Sequence, residues 1–279
     1  GIGVEAAVWH DIDSRKTYVR VYAGSPAEAT AVNTLIQAAL DNFPGMVGPE
    51  LRRPTHRTLA REDWTETWKR YFHVFRASRR LVIKPSWEAY EAGPEDQVIE
   101  LDPGMSFGTG YHGTTKACLQ FMDDLQPSLP GASFLDAGCG SGILSIAAWK
   151  LGFRPVVAFD CDPQAVAVAR ENTTRTGADA KISQADLATL DLGGKFRLVA
   201  ANILAPVLMR NAERLIGHLA AATEEASWLI LAGILTDQYD EVHTRFKGLG
   251  LVEERRLTLD EWTSGLFRLG ITHPPLAPE

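Results

Sequence analysis

The chain contains 279 residues, of which 45% are hydrophobic and 23% charged, a composition typical of a soluble protein with room for one large domain and a smaller one. No apolar run approaches the ~20 residues of a membrane helix, and the net charge of −7 argues against a broad nucleic-acid surface. Cys118, Cys139 and Cys161 have neither a paired nor a metal-binding spacing. They suit a reducing compartment, so we expect a cytoplasmic protein without a bound metal.

Residues 1–62 have the pattern of a small α+β domain. Apolar and polar residues alternate over residues 17–22, which predicts a strand. A Ser-Pro pair opens residues 25–40, with Ser as the N-cap and Pro at the first position of an Ala-rich helix. A further strand is expected near residues 57–60. The domain is too small to contain a deep cleft, so we interpret it as a substrate-recognition domain.

Residues 63–100 form an aromatic and basic linker region. Five aromatic residues have the spacing of one helix face: Trp64, Trp68, Tyr71, Phe72 and Phe75. Residues 52–84 contain ten basic side chains and three acidic ones. A solvated helix face explains this charge about as well as a contact with RNA or an acidic partner does. Charge reversal at Arg76, Arg79 and Arg80 would separate the two interpretations.

Strand and helix patterns alternate over residues 101–270, which predicts a mostly parallel sheet. Seven runs have the character of strands: residues 133–137, 156–160, 181–185, 198–203, 228–232, 251–257 and 265–269. The last two are joined without room for a helix, so we expect an antiparallel hairpin. Five parallel strands closed by a hairpin form the Rossmann-like sheet of class I methyltransferases. Residues 271–279 are expected to be a disordered tail.

The most informative motif follows the first of these strands. Residues 134–144 read Phe-Leu-Asp-Ala-Gly-Cys-Gly-Ser-Gly-Ile-Leu, an apolar run that ends in Asp136 and continues into alternating glycines. Gly138 and Gly140 allow a tight turn and the close approach of a ligand. Dinucleotide folds have the spacing G-x-G-x-x-G, and a carboxylate gives no advantage to a pyrophosphate. It suits a ligand with an ammonium group, which predicts S-adenosylmethionine as the cofactor.

Two more acids end the next two strands. Asp160 lies 24 residues after Asp136, near the spacing of the acid that accepts from ribose hydroxyls in nucleotide folds. Helix capping is its alternative role, but Asp162 followed by Pro163 already supplies a cap. Asp186 could accept from an adenine amine, and a solvated loop acid explains it about as well.

Two further motifs carry a family resemblance. Residues 101–115 read Leu-Asp-Pro-Gly-Met-Ser-Phe-Gly-Thr-Gly-Tyr-His-Gly-Thr-Thr, and residues 199–205 read Val-Ala-Ala-Asn-Ile-Leu-Ala. Shorter matching motifs are Asp63-Trp64, Trp68-Lys69, Ile83-Lys84-Pro85-Ser86-Trp87 and Glu261-Trp262. Together they resemble the bacterial ribosomal protein L11 methyltransferase (PrmA) family from about residue 63 to residue 269, and more weakly over residues 1–62.

The resemblance implies an S-adenosylmethionine-dependent enzyme that methylates lysine or N-terminal amines of ribosomal protein L11. It implies a set of cofactor contacts: a covering loop of Phe107, Gly108 and Thr109, a hydrogen bond from Thr115 to the methionine end, Gly138 beneath that end, and Asp160 on the ribose. It also places Asn202 beside the transferred methyl group. An amide there can orient an incoming amine, whereas a cap for the next helix is its alternative role.

The chain departs from the family pattern in the first of these motifs. Tyr111 stands where the family has Thr, and Gly113 where it has Pro. Tyr111 would line an apolar acceptor mouth with Phe107 and Leu204, and Gly113 would loosen the loop. The family has a histidine at the position of His112, which we interpret as structural rather than as a general base.

Two other functional classes stay open. One is a methyltransferase that acts on another protein, a small molecule or RNA, although the fourth strand lacks the Pro-Pro-aromatic sequence that stacks a flipped base. The other is a non-catalytic cofactor-binding module in which residues 1–62 are the active part. A nicotinamide dehydrogenase does not fit the glycine spacing.

Overall fold

The computed structural model describes residues 5–11, 16–22, 25–42, 72–102, 113–190, 192, 194–221 and 226–270. The chain divides into two compact units, Gly1–Thr67 and Trp68–Glu279. Among the described helices, none is both long and apolar enough to cross a membrane. The strand expected near residues 57–60 and the tail at residues 271–279 lie outside the described residues.

The first unit contains a hairpin and a helix. Strand β1 (Glu5–Asp11) pairs antiparallel with β2 (Lys16–Tyr22), and helix α1 (Pro26–Asn42) follows. The Ser25 hydroxyl accepts a hydrogen bond from the Glu28 backbone N–H at 3.2 Å, which caps the helix as its sequence predicts. The second strand and the helix are therefore confirmed, whereas β1 was not predicted.

The second unit begins with a small sheet that the sequence did not predict. Strands β3 (Phe75–Arg76), β4 (Leu81–Lys84) and β5 (Gln97–Glu100) pair in that order, first antiparallel and then parallel. The helix expected through Phe72 and Phe75 is wrong over the described residues. Phe75 pairs with Ile83 because the apolar strand β4 offers a buried partner, and the aromatic spacing resembled a helical period by coincidence.

The large sheet has seven strands in the order β11-β12-β10-β9-β6-β7-β8. Its strands are β6 (Phe134–Ala137), β7 (Val156–Asp160), β8 (Ala180–Gln184), β9 (Leu198–Asn202), β10 (Ser227–Leu235), β11 (Leu251–Leu259) and β12 (Trp262–Leu269). The five strands from β6 to β10 are parallel, and β12 is antiparallel to both of its neighbours. This confirms the predicted parallel sheet closed by a hairpin.

Helices cover both faces of this sheet. They are α2 (Gly113–Leu125), α3 (Ile143–Leu151), α4 (Pro163–Thr176), α5 (Ala205–Arg210), α6 (Ala212–Gly217) and α7 (Tyr239–Gly248). One buried apolar cluster joins α2 and α3 to the sheet and to the small sheet, and a second joins α5, α6 and α7 to the opposite face. The carboxyl ends of β6, β7 and β9 therefore meet at one edge, which is where ligands bind in open sheets of this kind.

Candidate active site

The glycine turn after β6 is packed closely against the end of β9. Gly138, Gly140 and Gly142 all have positive φ angles, of 82°, 52° and 79°, which disfavour any other residue type. A Cβ atom at Gly138 would lie 2.4 Å from Cγ2 of Ile203, the residue that follows β9. The missing side chain at Gly138 therefore lets the turn approach the strand end that carries Asn202.

Asp136 is buried at the start of this turn. Its side chain is 1% exposed, and Oδ2 accepts a hydrogen bond from the Ser145 hydroxyl at 2.7 Å. Oδ1 is buried and, within the described part of the chain, has no hydrogen-bond partner. Burial raises the pKa of this carboxyl to about 7, with the repulsion of Asp160 adding to the effect and the Ser145 hydrogen bonds opposing it. A buried carboxyl with a free oxygen is a group that an ammonium ion would stabilise.

Asp160 ties the end of β7 to the glycine turn. Its Oδ2 accepts from the Gly140 backbone N–H at 2.9 Å, and its Oδ1 accepts from the Asp162 N–H at 3.0 Å. The cap of α4 is Asp162, whose side chain accepts from the Gln164 N–H at 2.8 Å. Asp160 is thus not the helix cap. A carboxylate oxygen can accept more than one hydrogen bond, so these backbone contacts do not prevent Asp160 from accepting a ligand hydroxyl.

Asn202 and Thr115 come together at the end of β9. The Asn202 amide nitrogen donates to the Thr115 hydroxyl at 3.4 Å, although the two residues are far apart in the sequence. Helix α5 has Leu204 at its N-cap position and no side-chain cap, so Asn202 does not cap it. No donor within the described residues contacts the amide oxygen of Asn202, which can accept from another group. Leu204 is 65% exposed beside it, as an apolar rim residue would be.

The other predicted site residues fall into two groups. Asp186 is exposed, and its carboxylate accepts from the Ala188 N–H at 2.8 Å, which closes a local turn. Phe107, Gly108, Thr109 and Tyr111 lie outside the described residues.

Gly113 begins α2, where a Cβ atom would lie 3.0 Å from the Leu259 Cβ and 3.1 Å from the Leu259 carbonyl oxygen. The absence of a side chain at Gly113 therefore allows the helix start to pack against the end of β11. This close approach is a structural use of the glycine that the expectation of a looser loop did not include.

Sequence reasoning missed Gly233, which supports the same strand end. It has a φ angle of 80°, and a Cβ atom there would lie 2.5 Å from the Ile203 carbonyl oxygen. The pairing of β10 with β12 shifts register between Leu231 and Ile234, on either side of this glycine. An isolated glycine within an apolar strand pattern is the signal that could have identified it.

The described basic residues of the 52–84 segment pair with carboxylates. Arg76 contacts Asp96 at 2.8 Å, Arg80 contacts the buried Asp123 at 2.6 Å, and Lys84 contacts Glu100 at 2.7 Å; Arg79 lies 3.4 Å from Glu95. These ion pairs favour a structural role for this charge over an RNA contact. Residues 52–71 lie outside the described residues.

Cysteine and metal chemistry have no support in the described part of the chain. No group of three or more His, Cys, Asp or Glu side chains there could hold a metal ion. Cys139 is buried within the glycine turn, and burial raises the pKa of its thiol far above the usual range. It is therefore a small packing residue rather than a nucleophile.

Glycines with positive φ, a free buried carboxylate oxygen and two further polar side chains thus surround one edge of a parallel sheet. This fold and site define a class I methyltransferase. The residues fit S-adenosylmethionine because an ammonium would pair with the free oxygen of Asp136, and Asp160 can accept from ribose hydroxyls in addition to its backbone contacts. Comparison with known proteins identifies the family. The chain belongs to the ribosomal protein L11 methyltransferase (PrmA) family, whose model matches residues 6–268. The match includes much of the first unit, where the sequence motifs resembled the family only weakly.

Curated relatives and a solved structure agree with this assignment. The chain is 44% identical over 240 residues to the ribosomal protein L11 methyltransferase of Geobacter metallireducens, covering 86% of this chain and 76% of that protein. It is 40% identical over 255 residues to that of Geotalea uraniireducens, covering 87% and 78%. A crystal structure of a ribosomal protein L11 methylase from Lactobacillus delbrueckii subsp. bulgaricus matches with a TM-score of 0.64 and 31% identity, over 72% of this chain and 100% of that one. The protein is an S-adenosylmethionine-dependent methyltransferase.

Proposed function

We propose that this enzyme methylates lysine side-chain or N-terminal amines of ribosomal protein L11. The observation that carries the proposal is the contact of Asn202 with Thr115 at the carboxyl edge of the sheet. It uses one of the two N–H donors of the Asn202 amide and leaves the carbonyl oxygen available. An acceptor of hydrogen bonds suits a neutral amine, which keeps N–H groups to donate while its lone pair attacks.

The cofactor would be held by residues at or near the ends of three strands, β6, β7 and β8, and by one loop. Asp136 would pair with its ammonium group, while Gly138 and Gly140 would pass beneath its methionine end. Asp160 would accept from the ribose hydroxyls and Asp186 from the adenine amine. Phe107, Gly108 and Thr109 would cover it, as the family resemblance implies.

The protein's part in the reaction is alignment and desolvation. S-adenosylmethionine supplies a methyl group on a sulfonium, a leaving group that departs as a neutral thioether. The amine nitrogen would bond to the methyl carbon while the carbon–sulfur bond broke and the sulfur kept the electron pair. The extra amine proton goes to water. Asn202 would hold the nitrogen in line with that bond, so the protein supplies geometry rather than a strong base.

The amine must lose its proton before it attacks, because a free lysine has a pKa near 10.4 and is charged near pH 7. A partly apolar mouth of Phe107, Tyr111 and Leu204 would favour the neutral amine by desolvation. The exposed position of Leu204 is consistent with this role.

Recognition of the acceptor is assigned to residues 1–62, and the reaction to the cytoplasm, where ribosomal proteins are made.

The test is methyl transfer from labelled S-adenosylmethionine to purified ribosomal protein L11, with mass mapping of the product. Label on lysine side chains or on the N-terminus supports the proposal. Cofactor binding without transfer to L11 would contradict it, and other protein or small-molecule acceptors would then be tested with the same label.

Replacement of Asn202 by Ala should lower kcat about tenfold and leave the affinity for S-adenosylmethionine almost unchanged. The reason is that one neutral hydrogen bond is worth about 1–1.5 kcal/mol. Single-turnover kinetics with saturating cofactor give the rate, and calorimetry gives the affinity. Asn211→Ala is the matched control, because the Asn211 side chain donates only to the Val207 carbonyl within the helical region that follows. An unaltered rate in the Asn202 variant would remove the alignment role.

A further inference from the structure

A concave surface lies along helix α2, whose first turn carries Thr115. It is a pocket of about 350 Å³, and the lining residues that matter here are Arg76, Arg79, Lys116, Gln120, Asp124 and Arg255. Lys116 directly follows Thr115, and Gln120 and Asp124 lie one and two turns further along the helix on the same face. The pocket thus extends away from the residue that contacts Asn202.

The wall opposite α2 is held rigidly. The turn between β3 and β4 is tied to the fully buried Asp123, which accepts from the Ser78 hydroxyl at 2.7 Å and from the Arg80 N–H and Nε at 2.8 and 2.6 Å. Arg76 also donates to the Arg79 carbonyl at 2.8 Å. Since these bonds fix the backbone of the turn, the pocket is formed before any ligand arrives.

The lining is predominantly cationic, with four basic side chains and one carboxylate. Arg76 is paired with Asp96, and Arg255 with Asp124. The ion pair of Arg79 with Glu95 is long, at 3.4 Å, and both side chains are more than half exposed. In the part of the chain that the structure describes, Lys116 has no ion-pair or hydrogen-bond partner. Because all three arginines face carboxylates, the excess positive charge of the pocket is the single ammonium group of Lys116, within a chain of net charge −7.

We propose that this pocket docks an acidic segment of the protein acceptor, with a carboxylate of that segment paired to Lys116. The inference rests on the proposed function, because it assigns the pocket to the same acceptor. Arg76 and Arg255 already hold carboxylates of the protein itself. Lys116 and the loosely paired Arg79 are left for one or two carboxylate side chains of a partner. Nucleic acid binding instead depends on neutralising several successive phosphates.

The test compares Lys116→Glu with Lys247→Glu, a matched charge reversal on α7 at an exposed position remote from the pocket lining. For Lys116→Glu, KM for ribosomal protein L11 should rise about fivefold at low salt and less at high salt, because exposed charges are screened. The kcat and the affinity for S-adenosylmethionine should not change. Lys247→Glu should match the unaltered protein.

A direct binding measurement keeps this test separate from the proposed function. The fluorescence anisotropy of a labelled decaglutamate peptide measures its binding to each protein. Lys116→Glu should bind the peptide about fivefold more weakly than the unaltered protein, whereas Lys247→Glu should bind it equally well. If the unaltered protein does not methylate L11, the proposed function fails and the peptide titration still decides the docking proposal. Equal peptide binding by all three proteins overturns it. The docking proposal is also overturned if the unaltered protein binds a labelled oligouridylate but not the peptide, and if Lys116→Glu abolishes that oligouridylate binding.

Discussion

Replacing Asp136 with Asn should weaken the binding of S-adenosylmethionine about a hundredfold at pH 8 and, at the same pH, stabilise the ligand-free protein. Both effects follow from the same buried oxygen, which has no hydrogen-bond partner among the residues that the structure describes. The charged carboxylate is costly when no cation is near it and favourable when an ammonium is. Asn keeps the shape of the side chain and the Ser145 contact but has no charge. We expect a gain of about 1–3 kcal/mol in the free energy of unfolding without ligand.

The pH dependence of this effect has a definite sign. Burial raises the pKa of Asp136 from 3.8 to about 7, so the folded protein holds a proton that the unfolded chain has lost between these values. The contribution of Asp136 to stability is therefore greatest below about pH 4 and is lost as the pH rises to about 7. The affinity for the cofactor should change in the opposite direction, because only the ionised carboxyl pairs with an ammonium.

Calorimetric titration with S-adenosylmethionine and urea unfolding of the ligand-free protein, each at pH 6 and pH 8, measure the two effects. Asp179→Asn is the control, since it removes a carboxyl that is exposed and lies in a loop. Retained affinity in the Asp136 variant would mean that the carboxyl only supports the turn. A loss of stability at pH 8 would mean that its charge is compensated within the protein.

The centre of the large sheet could be predicted because β6, β7, β9 and β10 are mostly buried on both faces and therefore read as apolar runs. Strand β7 matches its predicted bounds residue for residue, since an apolar run between a proline and an acid has clear limits. The start of β12 could not be predicted, because Thr263 and Ser264 are polar yet buried in the sheet. The small sheet was missed for another reason. Helical spacing of aromatic residues carries no information about pairing with β4, which lies further along the chain.

The candidate site divides in a similar way. Residues at strand ends, such as Asp136, Asp160 and Asn202, could be selected from sequence because parallel strands bring their carboxyl ends to one edge. The hydrogen bond between Asn202 and Thr115 could not, because it depends on how α2 packs against β9. The free oxygen of Asp136 depends on how deeply the side chain is buried, which the amino-acid sequence alone does not reveal. Gly233 depends on the path of the backbone after β9.

Replacing Gly233 with Ala should lower the free energy of unfolding by about 3 kcal/mol and reduce kcat in the fraction that stays folded. An alanine at a φ of 80° costs about 1 kcal/mol. The new methyl would also lie 2.5 Å from the Ile203 carbonyl oxygen and 2.9 Å from its carbon. Because these are backbone atoms, the clash is relieved only by moving the segment that follows β9, at a further cost of about 1–3 kcal/mol. Asn202 would move with it.

Gly177→Ala separates the two causes, since Gly177 has a φ of 68° and a Cβ atom there would have no neighbour within 4 Å. It should cost only the backbone term, about 1 kcal/mol, and leave kcat unchanged. Urea unfolding and single-turnover rates at saturating S-adenosylmethionine are measured for both variants. Equal losses of stability would show that the end of β9 yields to the new methyl. A stability loss in Gly233→Ala without a fall in kcat would show that the position of Asn202 does not depend on the packing of Ile203 against β10.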